Sequence, residues 1–342
     1  MHKFSSVVTA VNCYLPEKIV TNDDLAKLMD TSDEWITERT GIKQRYMADV
    51  ESSTSELGIK AVQKLLAQNK IDVNSIELIV AATVTPDYYF PGIGVLIQRG
   101  LGLNHIPAID IRGQCSAFAW GISTADAYLR SGFYKNALVI GSEIHSRMME
   151  YTTRGRNFTV LFGDGAGALF LESQTGERPT AQNKIRGVID HEMGCDGSGA
   201  EMLMLKRPGF AKGYKEFFSV KEAEDGEDRP YMEGRQVFRN AVERMYQCAQ
   251  NLLSRNNLKP QDLDLVLPHQ ANMRINESVR EKLGLPPEKV FNNIQFYGNT
   301  TSATLPICMT DAEAQGRLKK GMLVMTLTFG SGFTWGANLI RW

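Results

Sequence analysis

The feature that most constrains this chain is the alternation of short, largely apolar runs with amphipathic helical stretches. Ile76–Thr83, Ala137–Gly141, Leu263–Leu267 and Met322–Phe329 read as continuous strands, and a further strand is predicted near 290–296. Helical periodicity covers 55–69, 115–131, 234–255, 271–283 and 302–317. A strand buried on both faces has no solvent side and so shows no polar alternation. The pattern therefore predicts an α/β fold with a parallel-rich sheet covered by helices on both faces. A weak internal duplication runs through it: Ala137-Leu-Val-Ile-Gly141 resembles Met322-Leu-Val-Met325. Each precedes a glycine-rich turn into a strand, at Gly163–Leu171 and Gly330–Ile340.

At 342 residues the chain is long enough for two core-forming units. Its formal net charge of −1 gives no chain-wide attraction to nucleic acid or anionic lipid. No apolar run approaches the roughly 20 residues that span a bilayer, and Met-His-Lys-Phe-Ser-Ser-Val-Val reads as a first strand rather than a signal peptide. Cysteines at 13, 115, 195, 248 and 308 are odd in number, widely spaced and without a Cys-x-x-Cys pair. That usage argues against a disulfide framework and a zinc site, and the simplest location is the cytoplasm.

Cys115 falls between a strand, Ile106–Ile111, and the helix that places Phe118, Ile122, Ala125 and Leu129 on one face. A thiol in the first turn of a helix meets unpaired N–H groups and the positive end of the helix dipole. The expectation is a lowered pKa and a nucleophile; the alternative is a small buried hydrophobe. The turn Gly163-Asp-Gly-Ala-Gly167 opens a strand rather than a helix, so it reads as a structural turn or bulge and not a phosphate cradle. No dinucleotide fingerprint or P-loop occurs in the proper context, and no cofactor is expected.

Two further strand-to-helix connections carry polar groups. His269 follows Leu263-Asp-Leu-Val-Leu-Pro268, and Asn299 lies in Tyr297-Gly-Asn-Thr-Thr-Ser302. Each alone is as compatible with a structural histidine or an ordinary turn asparagine. With Cys115 they occupy the carboxyl ends of strands, the edge where open α/β sheets bind ligands. One chemistry would use all three. A thiolate takes an acyl group from a thioester, and an imidazole N–H and an amide then stabilise the enolate that a malonyl thioester forms on losing carbon dioxide.

From end to end the chain resembles the β-ketoacyl-acyl-carrier-protein synthase III family of the thiolase superfamily. The matching segments are Thr31–Ile36 with Arg39–Ile42, the Cys115 segment, Phe162–Gly167, Pro268–Ile275, Tyr297–Thr300 and Phe329–Gly336. The resemblance implies a thiolase-like five-layered αβαβα fold of two similar halves, 1–174 with the nucleophilic cysteine and 175–342 with the histidine and asparagine. It also implies a homodimer acting on acyl-coenzyme A and malonyl-acyl-carrier protein to initiate fatty-acid synthesis. By the same resemblance Cys115 is the nucleophile, His269 and Asn299 form the decarboxylation pair, and the backbone N–H groups of Cys115 and Ser331 form an oxyanion hole. Coenzyme A falls to Trp35, Arg39, Asn272 and a further arginine. That arginine is Arg156 counting back from the Phe-Gly-Asp turn, or Arg154 by its local Arg-Gly pair. Arg274 docks the acidic carrier protein or stands as a surface cation, and Phe90 lines the acyl pocket of the neighbouring subunit.

Asn299 stands where elongating synthases and thiolases place a histidine, and no second cysteine occurs between 309 and 342. Phe90 leaves no base for deprotonative condensation, which favours decarboxylation. Ala117, Ala119 and Trp120 depart from the family pattern after the nucleophile. So does the long segment 206–232, whose acidic run reads as a solvated loop. These departures bear on primer and carrier. Two other readings stay open: a specialised relative using acyl-Cys115 for secondary metabolism or acyl transfer, and a catalytically silent acyl or carrier-protein binder paired with an active subunit.

Overall fold

The computed structural model describes residues 4–342. One sheet comprises β1 (Phe4–Tyr14), β2 (Ile79–Ala82), β3 (Ala108–Ile111), β4 (Asn136–Glu143) and β5 (Gly165–Thr175), in the order β1-β5-β4-β2-β3. A second comprises β6 (Gly187–Cys195), β7 (Leu265–Pro268), β8 (Leu323–Gly330) and β9 (Thr334–Arg341), in the order β7-β8-β9-β6. The principal helices are α1 (Asp33–Thr40), α2 (Thr54–Asn69), α3 (Ile93–Gly100) and α4 (Ala117–Ser131), followed by α5 (Gly234–Arg255), α6 (Met273–Lys282) and α7 (Thr304–Ala314).

Helices α2 and α3 cover the outer face of the first sheet, and α5 and α6 that of the second. Between the sheets lie α4 and α7, which completes five layers, αβαβα. The inner helices meet a sheet on either side, and both are largely apolar and buried. In α4, Ala117, Phe118, Ala119, Ile122, Ala125 and Leu129 are buried, and in α7 every residue from Thr304 to Met309. The outer α5 is amphipathic, burying Val237, Ala241, Met245, Ala249 and Leu252 on one face. A buried polar strut crosses the middle layer. Asp126 of α4 accepts the Ser6 hydroxyl of β1 at 2.5 Å and faces His191 of β6 at 3.1 Å, and His191 meets Asn338 of β9 at 2.9 Å.

The sheets are mixed rather than parallel-rich, which corrects the sequence expectation. β3, β2 and β4 run parallel, as do β7 and β8, but β5 and β9 run back antiparallel on both neighbours. The short Gly330–Thr334 connection permits only an antiparallel return. Both predicted returns through glycine turns land in equivalent places, so the duplication is a structural one. The strand predicted near 290–296 shrinks to one bridge, Val290 beside Val266, followed by a helical turn at Ile294–Tyr297. The Gln270 side-chain oxygen accepts the N–H groups of Asn293 and Ile294 there, supplying the partners that a ladder otherwise would. The segment 206–232 is likewise no free loop. Leu203–Leu205 pairs with Pro230–Met232, and the fully buried Arg207 is held by Glu222, the face of Tyr214 and the Glu216 carbonyl.

The two halves meet through a matched pair of turns. Each inner helix is preceded by a 3-10 turn, Gln114–Ser116 before α4 and Thr301–Ala303 before α7. Both turns begin on a non-glycine residue with left-handed φ, 47° at Gln114 and 48° at Thr301. Cys115 presses on Gly330 of the opposite half, where a Cβ would lie 2.9 Å from the cysteine Cβ. Ser302, the counterpart of Cys115, presses on Gly141, where a Cβ would lie 2.4 Å from the Ser302 carbonyl oxygen. Gly141→Ala must push this turn away from β4. It should lower stability by roughly 1–3 kcal/mol, read as the denaturant midpoint; an unchanged midpoint would show that the turn yields freely.

Candidate active site

Cys115, His269 and Asn299 line a single cavity of about 920 Å³. Cys115 and His269 reach it from strand ends, and Asn299 from the turn after the helical segment Ile294–Tyr297. Cys115 sits in the 3-10 turn before α4, not in the first α-helical turn as the sequence suggested. His269 follows β7 directly, its N–H bonded to the Leu327 carbonyl at 2.7 Å. Asn299 follows Gly298, whose φ of 64° turns the chain inward, and its N–H bonds the Leu161 carbonyl at 2.8 Å.

The orientations of the polar groups are set by neighbours. Asn299 Oδ1 accepts the Thr301 N–H at 2.8 Å, which commits the oxygen to the turn and leaves the NH2 as the end offered to the cavity. His269 Nδ1 lies 2.6 Å from the Thr304 hydroxyl, whereas Nε2 is buried with no hydrogen-bond partner among the described residues. Burial lowers the imidazole to about 3, so His269 is neutral at physiological pH.

The thiolate expectation is overturned. Burial pushes the Cys115 thiol up to about 12, Glu143 adds to the rise, and a backbone hydrogen bond only partly offsets them. Desolvation and a nearby carboxylate both raise the thiol, opposite to the direction expected from a helix start, so the resting group is a thiol. Glu143 is a residue that sequence reasoning missed. Its carboxylate accepts the Ser302 hydroxyl at 2.6 Å and the Thr85 hydroxyl at 2.8 Å, together with the Val84 N–H. Burial raises it to about 7 against those hydrogen bonds. A carboxylate closing an otherwise apolar strand, Ala137–Glu143, was the signal available.

At the mouth, Trp35 of α1 has the Arg39 guanidinium 4.6 Å and the Arg156 guanidinium 5.1 Å from its ring centroid. Of the two arginines left open by the sequence, Arg156 reaches the Trp35 ring and pairs with Asp30, whereas Arg154 pairs with Glu150. Arg235 and Arg274 also line this opening, with Val237, Phe238 and Ile275 inside it. Asn272 lines the cavity but is already engaged, capping α6 through the Arg274 N–H and donating to the Arg39 carbonyl at 3.0 Å. Ser331 follows Gly330, and its hydroxyl donates to the Leu203 carbonyl. Phe90 is 81% exposed and does not line the cavity of its own chain. Trp120, one of the departures noted in sequence, donates its indole N–H to the Trp335 carbonyl at 2.9 Å.

A five-layer frame with a cysteine turn and an asparagine turn docked across its middle is that of the thiolase-type condensing enzymes. Residues 109–197 match the model of 3-oxoacyl-[acyl-carrier-protein (ACP)] synthase III, and residues 253–342 match that of its C terminal. The chain is 42% identical over 335 residues to β-ketoacyl-[acyl-carrier-protein] synthase III of Solibacter usitatus, covering 98% of each. It is 42% identical over 342 residues to that of Bradyrhizobium diazoefficiens, covering 100% of each. The crystal structure of 3-oxoacyl-[acyl-carrier-protein] synthase III from Aquifex aeolicus superposes with a TM-score of 0.87 at 36% identity, over 98% of this chain and 100% of that one. The chain belongs to the β-ketoacyl-[acyl-carrier-protein] synthase III family.

The thiol geometry gives a direct expectation. Alkylation of resting Cys115 by a small neutral reagent should climb with pH without reaching a plateau below pH 9. Glu143→Gln should speed it roughly 3- to 10-fold at pH 8. This advantage should shrink below the Glu143 titration at about 7, where the native carboxyl is itself neutral. Mass spectrometry of the Cys115 peptide measures both, and a plateau near pH 7 would mean a resting thiolate.

Proposed function

We propose that this chain condenses an acyl-coenzyme A primer with malonyl-acyl-carrier protein, by decarboxylation and through an acyl-Cys115 intermediate, to initiate fatty-acid synthesis. The observation that carries the reading is the convergence of Cys115, the unpartnered His269 Nε2 and the Asn299 amide on one cavity. In the first half-reaction the Cys115 sulfur bonds the acyl carbon, the coenzyme A sulfur leaves, and the thiol proton passes to it. The resting thiol means that this proton moves only once a thioester is in place. Backbone N–H groups of Cys115 and Ser331 would receive the charge on the acyl oxygen.

In the second half-reaction the malonyl carboxylate departs as carbon dioxide and its bonding pair enters an enolate. The enolate oxygen accepts hydrogen bonds from His269 Nε2–H and the Asn299 NH2. The enolate carbon then bonds the acyl carbon, and the sulfur of Cys115 leaves and regains a proton from water. A neutral imidazole suits this role, because it donates without first losing a charge. Desolvation in the cavity strengthens both bonds.

Trp35 offers adenine a stacking face, and Arg39 and Arg156 offer cations to phosphates. The apolar throat at Val237, Phe238 and Ile275 suits the pantetheine arm, with Asn272 at its side, and Arg274 and Arg235 suit an acidic carrier at the rim. The exposed run Tyr88, Tyr89, Phe90 favours a homodimer in which Phe90 closes the partner's acyl pocket. The unpaired cysteines favour the cytoplasm, and no helix among the described residues is long and apolar enough to cross a membrane.

Intact-protein mass spectrometry tests the reaction. After incubation with acetyl-, branched short-chain or octanoyl-coenzyme A, one acyl adduct should form on Cys115, and malonyl-acyl-carrier protein should discharge it as a β-ketoacyl product. Cys115→Ala should abolish the adduct. His269→Ala and Asn299→Ala should retain acylation while losing roughly 100-fold or more in malonyl decarboxylation. An adduct that malonyl donors cannot discharge would point to acyl transfer instead, and no adduct from any donor would point to a binding subunit.

A further inference from the structure

The enolate role requires a proton on His269 Nε2, yet a neutral imidazole carries only one proton and can place it on either nitrogen. Which nitrogen holds it is decided by what the other one meets. Nδ1 meets a single group, the hydroxyl of Thr304, at 2.6 Å. This hydroxyl also lies 2.9 Å from the Thr301 carbonyl, so its one proton has two possible acceptors. If it goes to the carbonyl, Nδ1 must donate to Oγ1, and a bare lone pair on Nε2 faces the cavity. If it goes to Nδ1, the imidazole proton sits on Nε2 and points at the substrate.

Two features favour the second arrangement. The Thr301 carbonyl already accepts the Thr304 backbone N–H, so it is satisfied without the hydroxyl. At 2.6 Å the contact to Nδ1 is also shorter than an N–H donor ordinarily makes and suits an O–H donor. Thr304 itself cannot drift. It is the first residue of α7, buried between the sheets, and the turn before it is clamped to Glu143 through Ser302.

We propose that Thr304 is the positioning residue that selects the Nε2–H tautomer of His269, and so makes the imidazole a hydrogen-bond donor rather than an acceptor toward the malonyl thioester. Its catalytic consequence rests on the reading under Proposed function; the tautomer assignment does not. The hydroxyl touches no substrate and acts only through the ring. Its removal therefore affects the step that needs a donor and spares the step that needs only the thiol. An apolar residue of the same shape would keep the packing of α7 and lose only the selection.

The test has a spectroscopic arm and a kinetic arm. Nitrogen-15 NMR of histidine-labelled enzyme, with His269→Gln for assignment, should show the wild-type proton on Nε2 and an unprotonated, hydrogen-bonded Nδ1. A proton on Nδ1 instead would overturn the proposal whatever the enzyme's activity. Kinetically, Thr304→Val should slow malonyl decarboxylation roughly 10- to 100-fold while acylation of Cys115 stays within about 3-fold. Thr304→Ser, which keeps the hydroxyl, should restore decarboxylation to within about 3-fold of wild type. Equal loss of both half-reactions in a folded Thr304→Val, or no loss of either, would overturn the proposal. Should Thr304→Val not fold, the wild-type tautomer and the serine variant still decide. Should wild-type enzyme neither acylate nor decarboxylate, the functional reading fails, and the nitrogen spectrum alone judges the role of Thr304.

Discussion

Everything in this molecule depends on two chain reversals being pressed against glycines of the opposite half. The Cys115 turn rests on Gly330 and the Ser302 turn on Gly141, each at a separation that leaves no room for a methyl group. The contacts are reciprocal, each turn packing against a strand glycine of the other half. They also bring the N-terminal ends of α4 and α7 together in the middle layer, which is where the cavity opens. A condensing site needs a nucleophile from one half and hydrogen-bond donors from the other within reach of one substrate carbon. The glycine contacts supply that proximity as a packing consequence.

The matched turns carry different residues, and the difference makes the site asymmetric. Ser302 stands where Cys115 stands in the other half, but its hydroxyl is tied into the Glu143 carboxylate. Cys115 faces the cavity instead. The same buried carboxylate helps keep the thiol protonated at rest and holds the turn that carries Asn299, Thr301 and Thr304. Buried polar groups of this kind are costly unless every partner is in place. Glu143 meets that condition with hydroxyl and backbone donors from Val84, Thr85 and Ser302.

The surroundings of the site follow a different logic. The mouth is cationic, with Arg39, Arg156, Arg235 and Arg274 around Trp35 and the rim, although the chain as a whole is nearly neutral. Positive charge is thus gathered at the mouth of the cavity. The 206–232 segment shows the same economy. Glu227, Glu222 and Asp228 pair with Lys206, Arg207 and Arg229, and the stacked Phe210 and Phe217 both meet Tyr89 edgewise beside the exposed Phe90.

Local sequence determined a good deal. The helix at 234–255, the buried strands at Ala137–Gly141 and Met322–Phe329, the positions of Cys115 and His269 after strands, and the turn at Asn299 were all legible, because periodicity and chain reversal are properties of neighbouring residues. The tertiary structure alone decided the rest. Strand direction in β5 and β9, the collapse of 290–296 to a single bridge, and the approach of Arg156 to the Trp35 ring depend on what packs opposite. The protonation of Cys115 was misread for the same reason. A helix terminus is visible in sequence, but the desolvation and the Glu143 carboxylate that raise the thiol come from residues distant in the chain. Sequence could single out His269; only the Thr304 hydroxyl, 35 residues away and 2.6 Å from Nδ1, bears on which nitrogen carries its proton.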